Sequence, residues 1–448
     1  MKITIFGSGY VGLTQAACLA ETGHEVCCID KNTQRIAQLE KGNSPIHEPG
    51  LDKLIISNIK SGRLTFTTNP EHAVTFSNII FITVETPLKT NGEVDLSSIF
   101  NVIDTIAKHA FEEKVIINKS TAPVGTIHHI KQHLQQSPDL LYPKLNMRVI
   151  SNPEFLKEGS AVEDCMHPER IIIGIDDKQD IEIFHELYSS FITNQNDLIF
   201  MDSRSAELTK YAANCMLATK ISFINEIANL AERLGADIEM VRQGIGSDSR
   251  IGYDFMYPGC GFGGSCIPKD IRALQRTALE VGYRAQLLEA VEAINQGQRE
   301  RVFERIVEHY GKILNNKTFA LWGLAFKPNT NDMREAPSRT LLERLWAAGA
   351  KVQAFDPAAN QEALELYGSR PDFFISDSKE SALEGADALV ILTEWLNFHT
   401  TVDFNLIRQS LSDLVIFDCR NLFEPTQVIR AGLTYYSIGR QVAGANQQ

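Results

Sequence analysis

The N-terminal segment constrains the fold more than any other stretch of the chain. Its order is a strand pattern at 3–6, a turn with Gly7, Gly9 and Gly12, a helical pattern to residue 20, and a second strand pattern at 26–29 followed by Asp30. Two short strands joined by a glycine-rich turn and one helix are typical of a βαβ unit with parallel strands. The chain is therefore expected to begin with an α/β domain.

The three glycines of this unit have separate physical roles. Gly7 permits a tight turn, Gly9 lets the backbone approach a pyrophosphate, and Gly12 lets helix and strand pack closely. The helix N-terminus adds N–H donors and the positive end of the helix dipole. A carboxylate at Asp30 accepts ribose hydroxyls and repels the extra phosphate of NADP. The pattern predicts NAD as cofactor, although a purely structural turn also explains three glycines.

The chain has 448 residues, which predicts more than one core. Strand patterns at 79–84 and 115–118 extend the first sheet, and a second strand–helix alternation begins at residue 318 without the glycine pattern. The predicted fold is α/β, with two Rossmann-like doubly wound domains joined by a long central helix. The expected domains are an NAD-binding domain at 1–200, a central helical and dimerisation domain with a cysteine loop at 201–312, and a second nucleotide-type domain at 313–448.

Residues 202–235 predict a single helix, with a capping side chain at its start and Gly235 at its end. Apolar side chains occur on every side, which predicts burial all round and a role as inter-domain strut and dimer interface. Lys210 and Asn214 are the polar exceptions, four residues apart and so on one face. Because buried polar groups need partners, these two are expected either to bind backbone or to point into a catalytic cleft.

The composition argues against several classes of protein. With 43 basic and 56 acidic residues the formal net charge is -13, which disfavours nucleic acid or an anionic membrane as a general partner. The first residues show no signal-peptide pattern, and no stretch reaches the roughly 18 apolar residues of a membrane helix. Eight cysteines without a paired Cys-x-x-Cys pattern indicate neither a metal site nor a disulfide framework. A cytoplasmic location is expected.

A glycine-rich loop places one thiol beside charged residues. It reads Gly261-Phe-Gly-Gly-Ser-Cys266-Ile-Pro-Lys269-Asp270. Glycines there indicate positive φ or close approach to a ligand, and a cysteine near positive charge or a helix N-terminus is typically nucleophilic. A free cysteine buried as a small apolar residue is the ordinary alternative. The surroundings favour a nucleophile that could trap an aldehyde as a thiohemiacetal, which a second oxidation turns into a thioester.

Two segments that follow predicted strands are expected to rim the cofactor cleft, because ligands of parallel sheets bind at the carboxyl ends of strands. They are Glu85-Thr86-Pro87 and the run 119–125, which contains Thr121. Ordinary turn chemistry explains the same residues.

The segment 149–159 contains two carboxylates, Glu154 and Glu158, which share a face if the segment is helical. Glu154 is a candidate general acid or base, or a residue that orders a water molecule. The alternative is a solvated helix start, where acidic residues are common.

Basic residues follow strands of the second α/β unit. They are Lys327, Arg334, Arg339 and Arg420. Such a set suits a diphosphate, although Arg339 is better explained as a solvated surface cation. Together with the dinucleotide pattern, it indicates a hydride-transfer enzyme whose substrate carries phosphates.

A series of motifs runs in order along the chain: Gly7-x-Gly-Tyr-Val-Gly12, Glu85-Thr-Pro87 with Asp95-Leu96, Lys119-Ser-Thr121, Asn152-Pro-Glu-Phe-Leu-Lys-Glu-Gly159, Pro168-x-Arg170, Lys210-x-x-x-Asn214, the loop at 261–270 and Gly323-Leu-Ala-Phe-Lys327. Together they resemble the UDP-glucose/GDP-mannose dehydrogenase family. Within it, Gly-Gly-Ser-Cys resembles the members that oxidise UDP-glucose, whereas the N-acetyl-mannosamine branch is expected to have Gly-Gly-His-Cys. Glu85 departs from the glycine common in the family and puts a bulky anion near the cofactor.

The resemblance implies a four-electron oxidation of UDP-glucose to UDP-glucuronate, with two NAD reduced, in a homodimer or larger homo-oligomer. The implied catalytic roles are nucleophile for Cys266, water positioning or proton transfer for Thr121 and Glu154, oxyanion stabilisation for Lys210 and Asn214, and water activation for Asp270. The implied cofactor-binding residues are Gly7, Gly9, Tyr10, Val11, Gly12, Asp30, Lys31, Thr86, Thr121, Glu158 and Lys269. The implied substrate-binding residues are Glu154, Phe155, Leu156, Lys157, Lys210, Asn214, Arg250 from a neighbouring subunit, Phe255, Gly259, Lys327 and Arg420.

Three alternatives remain open on the sequence. GDP-mannose or another nucleotide sugar as substrate requires the same chemistry and different pockets. A two-electron dehydrogenase of the 6-phosphogluconate or hydroxyacid kind shares the fold but has no use for Cys266. A catalytically inactive nucleotide-sugar-binding protein is disfavoured by the presence of Cys266, Lys210 and Asp270 together.

Overall fold

A computed structural model describes residues 1–137, 145–192, 194 and 197–444 of the chain. The chain forms two compact units, Met1–Ala213 with Arg272–Tyr283 (unit 1) and Asn214–Ile271 with Arg284–Gln448 (unit 2). The division into three domains at 1–200, 201–312 and 313–448 stays a prediction. Residues 445–448, at the end of the third predicted domain, lie outside the described residues.

Unit 1 contains a largely parallel sheet. Its strands are β1 Lys2–Phe6, β2 Glu25–Ile29, β3 Leu64–Thr67, β4 Ile79–Ile82, β5 Lys114–Asn118, β6 Met147–Ser151, β7 Ile171–Gly174 and β8 Leu198–Met201. Their order across the sheet is β3-β2-β1-β4-β5-β6-β7-β8. Neighbouring strands are parallel except β6 and β7, which pair antiparallel at Ser151 and Gly174. The strand order reverses between β1 and β4, which is where ligands bind in such sheets.

Helices cover both faces of this sheet. They are α1 Tyr10–Glu21, α2 Thr33–Leu39, α3 Leu51–Lys60, α4 Pro70–Phe76, α5 Ser97–His109, α6 Thr126–Gln136, α7 Ala161–Met166 and α8 Ile181–Leu187, with a 3-10 turn at Lys178–Asp180. Ile3 and Ile5 belong to one apolar cluster, whereas Ile80 and Ile82 belong to another. Burial on both faces explains why the strands read as continuous apolar runs.

Two helices contribute residues to both units, and the remaining elements belong to unit 2. The shared helices are α9 Ser203–Leu234 and α11 Ile267–Glu280. The strands of unit 2 are β9 Thr318–Trp322, β10 Lys351–Phe355, β11 Phe373–Ile375, β12 Ala388–Ile391, β13 Val415–Asp418 and β14 Thr434–Ser437. Its other helices are α10 Ile238–Gly246, α12 Gln286–Tyr310, α13 Pro337–Ala347, α14 Asn360–Tyr367, α15 Leu396–Thr400, α16 Phe404–Ser410 and α17 Pro425–Arg430, with a 3-10 turn at Ser381–Leu383.

The second sheet has the order β11-β10-β9-β12-β13-β14. All of its pairs are parallel. The predicted α/β class, with two Rossmann-like sheets and a long helix between them in sequence, is therefore confirmed. In the part of the chain that the structure describes, no helix is both long and apolar enough to cross a membrane.

The bounds predicted for the long helix are confirmed, but its predicted burial is wrong. The Ser205 N–H donates to Asp202 Oδ1 at the start of α9, and Gly235 follows its end with φ +74°. Met216, Phe223 and Leu230 are 60%, 47% and 49% exposed. These residues are seven apart, so they form one stripe, called here the α9 apolar stripe. An apolar pattern does not distinguish a face covered by the same chain from one left for a partner.

Candidate active site

The turn between β1 and α1 has the geometry that the glycine pattern predicts. Gly7 has φ +106°, and a Cβ on Gly12 would lie 2.0 Å from the Gly7 carbonyl oxygen. These two glycines are therefore required by the packing of the chain itself. A Cβ on Gly9 would meet no atom within 4 Å. Gly9 thus leaves the backbone at the start of α1 accessible, as a pyrophosphate would require.

Asp30 follows β2 and is held as an acceptor. Its Oδ2 accepts the Ser8 N–H at 2.9 Å and the Ser8 hydroxyl at 2.7 Å, and Arg35 lies 3.6 Å away. Burial alone would raise the pKa of Asp30, but hydrogen bonds from the Asn32 N–H and Ser8, together with the Arg35 charge, bring that pKa below its ordinary value. The carboxylate is therefore ionised at neutral pH. This turn and this acid fit NAD, whose ribose needs such an acceptor.

The loops that follow β4 and β5 are tied to each other. Thr86 Oγ1 donates to the Thr121 carbonyl at 2.7 Å, and Ser120 Oγ donates to the Val84 carbonyl at 2.7 Å. Both loops lie at the carboxyl edge of the sheet, as predicted for residues that rim the cofactor. Glu85 is exposed.

The start of α1 is linked to the segment that follows β6. The Gly159 N–H donates to Tyr10 Oη at 2.7 Å and to Glu48 Oε2 at 2.7 Å. Two predicted cofactor residues adjoin this link between Tyr10 and Gly159. Glu158 immediately precedes Gly159, and Val11 follows Tyr10 in α1. Lys31 is exposed beyond Asp30.

Glu154 and Lys210 form a buried ion pair in unit 1. Lys210 Nζ donates to Glu154 Oε1 at 2.9 Å, and the Leu156 N–H donates to Oε2 at 2.7 Å. The two residues are only 6% and 4% exposed. Burial acts to raise the pKa of Glu154, but the Lys210 charge, these hydrogen bonds and the Lys119 charge lower it overall. Glu154 is thus an ionised carboxylate with an adjacent cation.

The segment that contains Glu154 is not a helix, so the condition under which Glu154 and Glu158 would share a helical face is not met. After β6 the backbone at 152–157 is irregular. The Asn152 N–H donates to the Asn118 carbonyl at 2.9 Å, which continues the sheet past the end of β6. A proline at 153 also disfavours helix at the preceding residue. Because Glu154 is buried and lies outside any helix, the alternative that it belongs to a solvated helix start is excluded.

Aromatic and basic side chains flank the same segment. The Phe155 ring lies 4.2 Å from the Arg170 guanidinium carbon and 5.3 Å from Lys210 Nζ. Lys157 is exposed and pairs with Asp164 at 2.9 Å.

Unit 2 presents Cys266 at the start of a helix. Helix α11 begins at the next residue, and the Asp270 N–H donates to the Cys266 carbonyl at 2.9 Å. Cys266 is exposed, whereas the other seven cysteines are buried, so the ordinary alternative of a buried thiol is wrong here. The Ser265 hydroxyl lies 3.5 Å from Cys266 Sγ. The N-terminal end of a helix stabilises negative charge, which is the charge of the nucleophilic form of cysteine.

One turn further along α11, Asp270 is fixed by two side chains. Asn214 Nδ2 donates to Asp270 Oδ2 at 2.7 Å, and Lys269 Nζ donates to Oδ1 at 2.7 Å. Asp270 is 1% exposed. Each of the two polar exceptions on α9 therefore has a carboxylate partner, Glu154 for Lys210 and Asp270 for Asn214. The structure therefore disfavours the expectation that Lys210 and Asn214 bind only backbone groups.

The glycines of the cysteine loop are required by close packing within unit 2. A Cβ on Gly263 would lie 2.4 Å from the Glu335 carbonyl oxygen, and Gly264 has φ +85° with the Phe326 ring 2.8 Å from its Cβ position. The amide of Asn295 accepts the Phe262 N–H and donates to the Phe262 carbonyl. The cysteine loop is thereby held in one conformation by helix α12, which contains Asn295, and by the segment that follows β9.

The predicted diphosphate cations differ in their surroundings. Arg420 is partly buried, donates to the Leu392 carbonyl at 2.7 Å, and lies 3.1 Å from a Cβ placed on Gly259. Lys327 Nζ lies 5.3 Å from the Phe326 ring. By contrast, Arg334 is exposed and pairs with the largely buried side chain of Asp332 at 2.8 Å. Arg420 and Lys327 thus follow β13 and β9 at the carboxyl edge of the second sheet.

Three further predicted residues have simple surroundings. Arg250 is exposed and pairs with Asp248 at 2.6 Å. Phe255 has φ +60°, which is uncommon for a bulky residue and indicates a constrained turn. Arg339 is half-buried beside Tyr367, where burial raises the pKa of the tyrosine and the Arg339 charge acts to lower it.

The sequence interpretation missed several buried polar residues. Glu207 is 4% exposed and accepts the N–H groups of Gly125 and Ile127 at 2.6 and 2.8 Å. It lies three residues before Lys210, so the helical spacing that identified Lys210 and Asn214 would also have found it. Lys119 and Asn152 are likewise buried, at 6% and 0% exposure, and the sequence motifs that contain them indicate no catalytic role for either residue.

Comparison with known proteins agrees with this geometry. Models of the UDP-glucose/GDP-mannose dehydrogenase family match the NAD-binding domain at 1–192, the central domain at 204–297 and the UDP-binding domain at 320–425. A UDP-glucose 6-dehydrogenase of Pseudomonas aeruginosa is 44% identical, over 99% of this chain and 98% of that protein. One of Rhizobium meliloti is 41% identical, over 98% of this chain and 100% of that protein.

A solved structure shows the same architecture. A UDP-glucose dehydrogenase from Pyrobaculum islandicum superposes with a TM-score of 0.89 at 31% identity, covering 98% of each chain. NAD is therefore the cofactor, as the β1–α1 turn and Asp30 predict. The chain belongs to the UDP-glucose/GDP-mannose dehydrogenase family and is an NAD-dependent dehydrogenase of that family.

Proposed function

We propose that this enzyme oxidises UDP-glucose to UDP-glucuronate in two successive two-electron steps, with Cys266 holding the intermediate. The observation that carries this is the exposed Cys266 at the start of α11, one turn from the fixed carboxylate of Asp270. A dehydrogenase that only converts an alcohol to a carbonyl compound has no need of a nucleophilic thiol. This distinction disfavours the two-electron alternative.

The proposed sequence begins with oxidation of the C6 alcohol to an aldehyde. NAD, when bound by the Gly7–Gly12 turn and Asp30, accepts a hydride from C6 in each oxidation. The Cys266 thiolate adds to the aldehyde carbon, forming a C–S bond and an oxyanion. Lys210 and Asn214 are proposed to stabilise that oxyanion as cation and hydrogen-bond donor.

Loss of hydride from the thiohemiacetal carbon, with loss of the hydroxyl proton, gives a thioester. Water then adds to the thioester carbonyl, the C–S bond breaks, and Cys266 leaves as a thiolate. Glu154 and Thr121 are proposed to position water or transfer protons, and Asp270 to help activate the attacking water. The overall balance is one UDP-glucose, one water and two NAD⁺ converted to one UDP-glucuronate, two NADH and three protons.

The choice of UDP-glucose rests on three kinds of support. The relatives named above are UDP-glucose dehydrogenases, and residues 320–425 match a UDP-binding domain. Lys327 and Arg420 supply two cations suited to a diphosphate, and Gly259, whose Cβ position lies 3.1 Å from Arg420, leaves room for that guanidinium. The Gly-Gly-Ser-Cys sequence resembles the glucose branch of the family. GDP-mannose or another nucleotide sugar is the alternative.

A substrate screen tests this choice. Purified enzyme is mixed with UDP-glucose, GDP-mannose, UDP-N-acetylglucosamine or UDP-N-acetylmannosamine, each with NAD or NADP, and absorbance at the NADH band is followed. We expect UDP-glucose with NAD to give the highest kcat/KM, by at least about tenfold, because one misplaced sugar or base contact costs about 1–3 kcal/mol. A higher value for GDP-mannose or for an N-acetyl sugar would replace UDP-glucose as the substrate.

Two further features belong to the same proposal. The α9 apolar stripe supports a homodimer or larger homo-oligomer, because a contiguous exposed apolar face on a soluble protein usually marks an interface. The eight cysteines all lie among the described residues and none of them forms a disulfide, which supports a reducing, cytoplasmic location.

A further inference from the structure

Unit 1 buries a second lysine beside the Glu154–Lys210 pair, and the steps above do not use it. Lys119 follows β5 and is 6% exposed. Its Nζ donates to Asn152 Oδ1 at 3.2 Å, which is the only hydrogen bond of this ammonium group to the described residues. A buried cation with one neutral acceptor is costly compared with an apolar side chain of similar length. Packing alone therefore does not account for a lysine here.

Lys119 lines a cavity of about 140 Å³. Other residues lining it include Glu154, Phe155, Cys165, Arg170 and Tyr188. An ammonium group has three N–H donors, and a polar cavity of this size accommodates water. The lysine and the Glu154 carboxylate thus border the same polar space.

Asn152 connects Lys119 to Glu154 through the backbone. Its Oδ1 also accepts the Tyr188 hydroxyl at 2.5 Å, and its Nδ2 donates to the Ile172 carbonyl at 2.9 Å. Both lone pairs of Oδ1 are used, so the amide has one orientation. A single proline, whose ring fixes φ, separates Asn152 from Glu154. The position of the Glu154 backbone is therefore coupled to the amide that Lys119 holds.

The titratable groups around Lys119 shift the pKa of this lysine in opposite directions. Burial lowers the pKa of Lys119 to about 8, Cys165 and Glu154 act to raise it, and Lys210 lowers it further. The Tyr188 hydroxyl faces the same amide, and burial raises its pKa. Lys119 is therefore charged at neutral pH and becomes neutral as the pH rises through about 8. The Lys119 charge in turn contributes to the lowered pKa of Glu154.

We propose that Lys119 is a positioning residue for Glu154, which it fixes through Asn152 and to which it supplies a second cation beside Lys210. The expected effect on turnover rests on the proposed function, because Glu154 acts there on water or protons. The expected effect on the Glu154 carboxylate does not depend on which substrate the enzyme uses.

The kinetic test compares Lys119→Met, which keeps the length and removes the charge, with Lys119→Arg, which keeps the charge. Lys114→Met is the matched control, because Lys114 is a fully buried lysine at the other end of β5, bound to Ser77 and Asn78. We expect kcat of the wild type to fall as the pH rises through about 8. In Lys119→Met we expect kcat to be about tenfold lower below that pH, because a misplaced group costs this much or more, with KM for UDP-glucose within about twofold.

Lys119→Met should lack the alkaline fall in kcat, and Lys119→Arg should shift it to higher pH, since arginine stays protonated. The control should keep the wild-type profile. Wild-type kcat and pH profile in Lys119→Met would overturn the inference. Lys119→Gln replaces the Met variant if the latter does not fold.

A second measurement does not use turnover. The carboxyl infrared band of Glu154 is assigned from the difference between wild type and Glu154→Gln, and is then titrated in wild type and in Lys119→Met. Loss of the nearby cation should raise the pKa of Glu154. An unchanged titration would overturn the inference, whereas an inactive wild type with a raised Glu154 pKa in the variant would overturn only the proposed function.

Discussion

At the scale of single residues, the chemistry of this enzyme depends on what surrounds each side chain. Eight cysteines have the same intrinsic chemistry, yet only Cys266 is exposed at a helix start. Its glycine neighbours, Lys269 and Asp270 were sufficient to single it out from the sequence. The ionisation of Glu154 was not predictable in this way, because it depends on Lys210, which is 56 residues away along the chain.

Replacing the thiol tests the role of Cys266. Cys266→Ser should bind UDP-glucose with an affinity within about threefold of wild type, because the side chains are nearly isosteric, but should lose about 10³-fold or more in kcat for UDP-glucuronate formation. A serine hydroxyl is a far weaker nucleophile, and its ester is cleaved more slowly. Binding is measured by calorimetry and product by chromatography.

Cys27→Ala is the control, since Cys27 is buried in β2 and has no role in the proposed chemistry. Turnover of Cys266→Ser at the wild-type rate would remove the thiol from the mechanism.

At the scale of elements, the strands and helices nearest the site follow from local patterns, and the connecting segments do not. The β1–α1–β2 unit and helix α9 could be predicted almost to the residue, because glycine, capping and apolar spacing determine them locally. The irregular backbone after β6 was not predictable, because it is fixed by a backbone bond to Asn118 and by Asn152 contacts that are distant in sequence. The exposure of the α9 apolar stripe was likewise missed.

A charge placed on the α9 apolar stripe tests whether it is an interface. Phe223→Asp should dissociate the proposed homodimer, because a desolvated carboxylate in an apolar contact costs several kcal/mol. The mass measured by light scattering should fall to about that of one 50.0 kDa chain. Phe111→Asp is the matched control, since Phe111 is an exposed aromatic residue of unit 1 outside the stripe, at 54% against 47% for Phe223. An unchanged mass of Phe223→Asp would contradict a role for the stripe in assembly.

At the scale of the whole molecule, the chain combines two Rossmann-like sheets with different ligand features. The first sheet has the dinucleotide turn and Asp30, whereas the second has Arg420 and Lys327 after its strands and no such turn. The repeated strand–helix alternation made this architecture predictable from sequence. The pairing of Lys210 and Asn214 with separate carboxylates was not, because Glu154 follows β6 whereas Asp270 lies in α11.

We propose that one enzyme carries out both oxidations before the product leaves. The test supplies limiting UDP-glucose with excess NAD and counts NADH by absorbance while the sugar nucleotide is quantified by chromatography. Two successive hydride transfers predict about two NADH per UDP-glucose consumed, with UDP-glucuronate as the product and no free aldehyde. A ratio of about one, with UDP-linked aldehyde accumulating in solution, would contradict the claim.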